Sequence, residues 1–396
     1  MEFLERIDPN GSIAVEEMIF VKGLAAQGGS KILEGFQPLF GAEAVERLPA
    51  AHLSVAGTCA TGEFGLDLLG ETSVHGTCVE KGRLVSAAAA LVAEGKAEGA
   101  LCADLNGAPR RAAAVSGTVF VKPTYGTVSR YGLIPCACSG EQIGAAARDA
   151  AAAAKLLDAI AGHDPKDGTS LPAESYGWTA ALPVEGLRVA VPQELLDAAS
   201  DEMRARIEAA EEKLRESGMT VERVSFPLAR AACAAWQILL AAESCNNLSR
   251  YDGVKFGYRA KDYANIEELY TNSRTEALGL LAKEVILYGS DLLSENRYMD
   301  CYDRALRVRR LAAGALAALF ENYDLILAPP CSRPDFEPYP ESEGYRRVTQ
   351  EALFTALPNL CGQPAAVDCG VQLIAKHLGE STLLSAARAL EEVSGR

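Results

Sequence analysis

Short apolar segments alternate along the chain with longer alanine- and leucine-rich segments. The apolar segments are bounded by turn residues and favour buried strands; they read SIAVEEMIFVKG, HLSVAGTC, GALCADL, GTVFVKPTYG, LRVAVP, TVERVSFP and YDLILAPP. The alanine-rich stretches Ser86–Ala100 and Ile143–Ala161 favour helices by propensity, and Gly162 and Pro165 end the second one. This alternation predicts an α/β protein with helices on both faces of a largely parallel or mixed sheet.

The second half of the chain continues the pattern with longer helices. The turn-rich stretch 176–187 is predicted to be a connection, and DEMRARIEAAEEKLRESG is predicted to be an amphipathic helix that leads into a strand. Near the carboxyl end, VQLIAKHLGESTLL reads as a strand followed by a helix. The basic run Arg304–Arg310 has helical spacing and is typical of a solvated helix face.

Composition and charge exclude some classes of function. The chain has 396 residues, 49% of them hydrophobic, and 53 acidic against 38 basic residues give a net charge of -15. This excess argues against a non-specific nucleic-acid binder, which needs clustered Lys and Arg. The amino terminus has no signal-peptide pattern, and no apolar stretch is as long as a membrane span. We therefore expect a cytoplasmic protein with no membrane contact.

The cysteines and histidines do not indicate a metal or disulfide site. Eleven cysteines occur without a CxxC pair, and the chain has only four histidines. Neither a zinc site nor a disulfide framework is expected. Because no phosphate-binding loop occurs either, we expect no cofactor.

Several motifs along the chain resemble one known family. They are SKILEGF, GEFGLD, VKPTYGTVSRYGL, AGHDPKDGTS, EGLRVAVPQE, ESCNNLSRYDGVKFGYRAKDY, LPNLCGQPA and VQLIAKHLGESTLL. Together they resemble the amidase signature family, and within it the A subunits of tRNA-dependent amidotransferases. The resemblance implies a single amidase-like domain over residues 1–396, with a mixed sheet flanked by helices.

The resemblance also implies differences in length from that family. It begins near Gly11, so we expect that the helical segment preceding the core in those A subunits is lacking. Two internal stretches look shortened, one near residues 78–82 and one near residues 367–370.

The family's chemistry, as the resemblance implies it, uses a serine nucleophile, a second serine on a cis peptide and a lysine. The neutral lysine accepts a proton through the bridging serine while the nucleophile attacks an amide carbonyl. Backbone N–H groups of a glycine-rich turn then stabilise the oxyanion.

Matched to this sequence, the three reactive positions carry other residues. Glu16 stands at the lysine position. Lys22 corresponds to a separate lysine of the family pattern and does not replace it. The bridging serine position is Leu84, although Ser86 lies only two residues away. The nucleophile position is Ala108. Alanine has no nucleophilic atom, leucine cannot relay a proton, and glutamate reverses the charge of lysine.

The turn before Ala108 keeps much of its family pattern. Asp104, Gly107 and Arg110 persist, and the resemblance places the oxyanion-binding amides at Leu105, Asn106 and Gly107. The sequence thus predicts an oxyanion turn without a nucleophile.

Replacement groups are present nearby. Cys102, Ser86 and Cys78 are candidate nucleophiles, and Glu16 or Glu17 is a candidate base. Cys102 precedes Ala108 by six residues, which is about 20 Å in an extended strand, so it should not reach the oxyanion position.

The substrate-binding positions have also changed. In the A subunits a tyrosine, an arginine and an aspartate hold the free amino-acid ends of glutamine. The corresponding positions here are Trp236 or Gln237, Glu284 or Val285, and Ala352 or its neighbour Glu351. Without the arginine, an α-carboxylate loses its charge-assisted partner.

These substitutions leave three hypotheses for function. The first is a catalytically inactive binding or scaffold protein, with amidotransferase-like B or C subunits or an intact A paralogue as partner. The second is a rebuilt amide hydrolase or other enzyme that uses the same pocket. The third is an ordinary A-type amidotransferase component, against which the three reactive positions argue.

Overall fold

A long mixed β-sheet runs through the middle of the protein. The structure is a computed structural model, and it describes residues 2–394. Its strands are β1 (Glu5–Arg6), β2 (Ile13–Glu16), β3 (Val55–Cys59), β4 (Val79–Glu80), β5 (Arg83–Leu84), β6 (Gly99–Asp104), β7 (Val119–Lys122), β8 (Gln142–Ala147), β9 (Arg188–Pro192), β10 (Thr220–Val224), β11 (Leu325–Ala328), β12 (Ala365–Asp368) and β13 (Val371–Ala375).

Eleven of these strands form the main sheet, in the order β1-β3-β2-β6-β8-β7-β12-β13-β11-β9-β10. The pairs β2/β3, β2/β6, β9/β10 and β9/β11 are parallel, and the central pairs from β6 to β11 are antiparallel. The predicted α/β fold with a mixed central sheet is therefore confirmed.

The α-helices lie between the strands along the chain. They are α1 (Glu43–Glu46), α2 (Ala87–Ala93), α3 (Ala108–Ser116), α4 (Ala150–Ile160), α5 (Gln193–Ala198), α6 (Asp201–Glu216), α7 (Ala229–Leu248), α8 (Ile266–Ala277), α9 (Leu280–Leu292), α10 (Arg304–Leu319), α11 (Gly344–Glu351), α12 (Ala356–Cys361) and α13 (Glu380–Ser394). A π-helical turn, Tyr298–Asp303, leads into α10. No helix among the described residues is long and apolar enough to cross a membrane.

Helices cover both faces of the middle of the sheet. Helices α2 and α3 pack against each other and against β6 and β7, whereas α4 and α13 pack against each other and against β7, β8 and β12. The strands between them are buried along their whole length. This double cover explains why these strands are runs of small and apolar residues without alternation.

One predicted helix was partly wrong. The stretch Ile143–Ala161 contains the helix α4, but its first residues belong to β8, which lies between β6 and β7. Alanine favours helices by propensity, yet pairing on both sides of this strand overrides that preference. Ser86–Ala100 is likewise shorter than predicted, because α2 ends before Gly95 and β6 begins at Gly99.

The two stretches that look shortened in the sequence form tight hairpins. Two-residue loops, Lys81–Gly82 and Cys369–Gly370, join β4 to β5 and β12 to β13. All four residues have positive φ, as a type I′ turn requires.

The predictions for the second half of the chain are confirmed. Helix α6 leads into β10, and β13 leads into α13. The basic run lies on α10, where Arg304, Arg307 and Arg310 are exposed.

The centre of the sheet should not tolerate a larger residue at Gly144. A Cβ atom at this position would lie 2.4 Å from the Val121 carbonyl oxygen and 2.5 Å from Phe120 Cζ. We expect Gly144→Ala to lower the free energy of unfolding by ~1–3 kcal/mol, as overpacking does, measured by urea denaturation.

Gly314→Ala is the matched control. Gly314 lies in α10, and a Cβ there meets no atom within 4 Å, so this change should stabilise the protein by ~0.5–1 kcal/mol. A Gly144→Ala variant as stable as the control would contradict the packing described.

Candidate functional site

Three elements converge on a small closed space. Glu16 at the end of β2, Ser86 just before α2 and Ala108 at the start of α3 all line it. The cavity that they leave measures about 10 Å³, which is at most the size of one water molecule. Leu84 is buried in β5 and does not line this space. The structure therefore brings two of the three predicted reactive positions together, with Ser86 beside them instead of Leu84.

Glu16 is a buried carboxyl group at the end of β2. One of its oxygens accepts a hydrogen bond from the Ala103 N–H at 2.9 Å. Burial raises the pKa of Glu16 to about 8, although this hydrogen bond and Cys102 act in the opposite direction. A protonated carboxyl group at this position cannot act as the base that the family's lysine provides.

The neighbouring Glu17 has different partners. Its Oε1 accepts a hydrogen bond from the Gly29 N–H at 3.1 Å, and its Oε2 lies 3.2 Å from His75 Nε2. Glu16 and Glu17 therefore do not act on one common group.

The turn between β6 and α3 has a constrained backbone. Gly107 has a φ of 84°, and a Cβ there would lie 2.4 Å from Thr355 Cβ, so only glycine fits. The Gly107 N–H donates to Asp104 Oδ1 at 3.2 Å. The Gly107 N–H, one of the three amides predicted to bind an oxyanion, therefore already has a hydrogen-bond acceptor. Leu105 and Asn106 lie in the same turn, before α3.

A buried ion pair holds this turn. Arg110 and Asp104 are both fully buried, with Nε–Oδ2 and Nη2–Oδ1 distances of 2.7 and 3.1 Å. Arg110 Nη1 also donates to Gln372 Oε1 at 2.8 Å and to the Thr355 carbonyl oxygen at 3.0 Å, and Nη2 donates to Asn359 Oδ1. Burial acts to raise the pKa of Asp104, but Arg110, together with Lys122 and Asn359, lowers it below its ordinary value.

Lys122 is a second buried basic side chain, and it lies close enough to Asp104 to interact with its charge. It lies at the end of β7, and its Nζ donates to the Pro123 carbonyl oxygen at 2.9 Å. Burial lowers its pKa to about 7, against the attraction of Asp104. The sequence motif VKPTYG marked this segment, but its charge environment depends on strands that are distant in sequence.

Two of the predicted substrate-side residues contact the turn before α3. Trp236 Nε1 and Gln237 Nε2 both donate to Asn106 Oδ1, at 3.1 and 3.2 Å. Trp236 is fully buried, and its ring packs so closely that a Cβ on Gly140 would lie 2.1 Å from it. Asn106 therefore joins the turn before α3 to helix α7.

Among the other substrate-side positions, Glu351 lines the same cavity as Gln237. Val285 is buried in the hydrophobic core, and Glu284 lies close enough to Glu341 for that carboxylate, together with burial, to raise its pKa. Ala352 is buried, whereas Glu351 accepts hydrogen bonds from the backbone and hydroxyl of Ser332. No cationic side chain takes the place of the arginine at 284 or 285.

The candidate replacement nucleophiles are poorly activated. Burial raises the pKa of the Cys102 thiol well above its ordinary value, and Glu16 raises it further. Burial also raises the pKa of Cys78. A thiol must be deprotonated to act as a nucleophile, so neither cysteine has that activation. Ser86 is the only one of the three beside Ala108.

Sequence reasoning missed the role of Asn106 as the acceptor that joins the turn to α7. It is a polar residue within a glycine-rich turn, which could have suggested a side-chain contact. It gave no indication that the donors would come from α7, 130 residues away in sequence. Among the described residues, no group of three His, Cys, Asp or Glu side chains could hold a metal ion.

Comparisons with known proteins give one consistent family. A family model described as Amidase matches residues 12–384. The A subunit of glutamyl-tRNA(Gln) amidotransferase from Lysinibacillus sphaericus (strain C3-41) is 36% identical over 401 residues, covering 96% of this chain and 82% of the relative. The protein of that name from Anaeromyxobacter sp. (strain K) is 37% identical over 404 residues, covering 97% of this chain and 82% of the relative.

A solved structure agrees with the sequence comparisons. The crystal structure of the A subunit of glutamyl-tRNA(Gln) amidotransferase from Thermotoga maritima superposes with a TM-score of 0.80 at 26% identity. The match covers 98% of this chain and 87% of the Thermotoga chain.

The buried ion pair should be essential for stability. In Asp104→Asn, Arg110 would stay buried without a carboxylate, so we expect the free energy of unfolding to fall by ~3–5 kcal/mol, measured by urea denaturation. The control Asp300→Asn removes a surface pair with Arg304 and should change stability by less than ~1 kcal/mol. Equal effects of the two changes would contradict the role given to Asp104.

Glu16 should make stability depend on pH. Its pKa is about 8 in the folded protein, against an ordinary value of 4.5. Between these values the folded state binds more protons than the unfolded state, so stability should fall as pH rises. At ~1.4 kcal/mol per pKa unit, the full effect is at most ~5 kcal/mol.

The measurement compares Glu16→Gln with the unaltered protein by urea denaturation from pH 5 to pH 8.5. We expect the variant to gain in relative stability across this range, because Gln keeps the acceptor for Ala103 N–H and cannot ionise. The exposed Glu98→Gln variant is the control. Parallel pH profiles for all three proteins would contradict the raised pKa.

Proposed function

This chain belongs to the amidase family, and from that premise we propose that it is a catalytically inactive homologue of the amidotransferase A subunit that acts as a binding or scaffold protein. The observation that carries the proposal is Ala108, a methyl group at the first position of α3. The resemblance gives that position to the serine nucleophile. Without a nucleophilic atom there, the oxyanion turn has no attacking group to serve.

The surroundings of Ala108 support the same conclusion. A cavity of about 10 Å³ has no room for an amide substrate. Burial raises the pKa of Glu16 to about 8, which favours the protonated form of its carboxyl group near pH 7. Nucleophile, base and substrate space are thus all lacking at the position where the family performs its reaction.

The substrate side supports loss of glutamine binding. Trp236 is fully buried against the turn. At the arginine position stand Glu284 or Val285, and neither can pair with an α-carboxylate. A chain that binds neither the amide nor the free ends of glutamine has no means of supplying ammonia from it.

The proposed partners follow from the relatives, whose name describes them as one component of an amidotransferase. We propose that this chain binds amidotransferase-like B or C subunits, or an intact A paralogue, in the cytoplasm. The buried network around Arg110 preserves the shape of the turn, which a protein used for its shape needs even without catalysis.

A rebuilt hydrolase is the second candidate. One observation favours it: the Ser86 hydroxyl lines the same closed space as Glu16. Such an enzyme would need the space to open and Glu16 to ionise above its raised pKa.

The first test measures ammonia release from glutamine, asparagine and simple amides, together with labelling by serine- and cysteine-reactive probes. We expect neither turnover nor labelling, and the Lysinibacillus sphaericus relative, assayed in parallel, serves as the reference. Turnover or labelling that disappears in Ser86→Ala, Cys102→Ala or Cys78→Ala would establish the rebuilt hydrolase instead.

The second test restores the nucleophile alone. We expect Ala108→Ser to remain inactive, less than about one thousandth of the reference rate, because no general base activates the new hydroxyl. Size-exclusion chromatography with purified B and C subunits or an intact A paralogue then tests the scaffold role. Failure to form a complex with any of them would reject these partners.

A further inference from the structure

A second cavity lies beside α7, and two of the predicted substrate-side residues, Gln237 and Glu351, line it. It measures about 580 Å³ and lies between α7, α9 and α11, within the range typical of small-molecule sites. Neither Glu16 nor Ala108 lines it. We propose that this cavity binds a small aromatic carboxylate that carries an N–H donor. The proposal adds a ligand to the binding function proposed above.

The neighbours of Gln237 fix the direction of its amide group. An indole N–H can only donate, so the Trp236 Nε1 contact fixes Asn106 Oδ1 as an acceptor. Gln237 must then present its NH₂ group to the same oxygen, at 3.2 Å. The other end of this amide, Gln237 Oε1, is left as an acceptor with no hydrogen bond to any described residue.

This acceptor belongs to a buried side chain that lines the cavity. Gln237 is only 8% exposed, and its side chain is held by Asn106 in the rigid turn. The other buried polar group of the lining, Glu351, already accepts from the Ser332 N–H and hydroxyl. The floor of the cavity therefore offers an acceptor and favours a ligand with an N–H donor.

A positive charge lies beside the cavity. Arg230 is exposed at the rim, and it forms no ion pair with another residue in the range 2–394. In a chain with a net charge of -15, a guanidinium without a carboxylate partner beside a cavity suits an anionic group. Arg230 and Gln237 are seven residues apart on one helix, about 10 Å along its axis, and the long arginine side chain shortens this span.

Aromatic side chains form part of the cavity wall. The rings of Tyr288 and Tyr345 meet edge to face, with centroids 6.0 Å apart, and both line the cavity together with Leu353 and Phe354. Aromatic walls favour a flat apolar body. The N–H donor of such a ligand thus matches Gln237, its flat body matches the aromatic walls, and its carboxylate matches Arg230.

The test uses indole-3-propionate as the probe and isothermal titration calorimetry on the full chain. We expect saturable binding with one site per chain. Arg230→Gln and Gln237→Leu should each weaken it about five- to tenfold, the effect of losing one hydrogen bond or charge contact. Arg310→Gln, at an exposed position of α10 outside the cavity, is the matched control and should bind like the unaltered protein.

Two related probes identify the contacts. Methylation of the indole nitrogen should weaken binding to the unaltered protein about fivefold but have no further effect in Gln237→Leu. 3-Ethylindole, which has no carboxylate, should bind equally to the unaltered protein and to Arg230→Gln. Circular dichroism and thermal unfolding check that each variant is folded. If Gln237→Leu does not fold, Arg230→Gln still tests the proposal.

No saturable binding at millimolar probe, or binding that neither variant weakens, would overturn the proposal. These results are distinct from those for the proposed function. Turnover of amides would overturn the inactive assignment without affecting this cavity, and absence of probe binding would leave that assignment intact.

Discussion

The buried ion pair between Asp104 and Arg110 fixes the turn on which the whole centre is built. Its two members stand at the end of β6 and in the first turn of α3, and both are fully buried. A buried guanidinium is tolerated only when its donors are matched, and here Gln372, Asn359 and the Thr355 carbonyl oxygen accept the rest. The pair therefore ties the turn to the carboxyl-terminal part of the chain.

Because the turn is fixed, the side chains around it decide what the site can do. Ala108, Ser86 and Glu16 close the space to about 10 Å³. Asn106, in the same turn, accepts from Trp236 and Gln237 on α7. The turn keeps Asp104, Gly107 and Arg110 of the family pattern, and our proposal is that the groups that would attack, deprotonate and hold a substrate have been lost.

The sequence predicted much of this arrangement and missed specific parts for physical reasons. The α/β class and most strands followed from apolar segments between turns, but β8 was read as helix because small residues suit both structures and only its pairing with β6 and β7 decides. Glu16 and Ala108 were matched to reactive positions by the family pattern. Leu84 was matched by the same pattern, yet Ser86 is the residue beside them, since the hairpin of β4 and β5 sets that geometry.

By itself, the sequence determined the residue types: no lysine, no serine and no arginine at the positions where the resemblance expects them. A missing functional group is a property of the covalent chain, so no fold can restore it. Only the tertiary structure decided the pKa of Glu16, the closure around Ala108 and the direction of the Gln237 amide. Those properties depend on burial and on hydrogen-bond partners from β6 and α7, which folding brings together from distant parts of the chain.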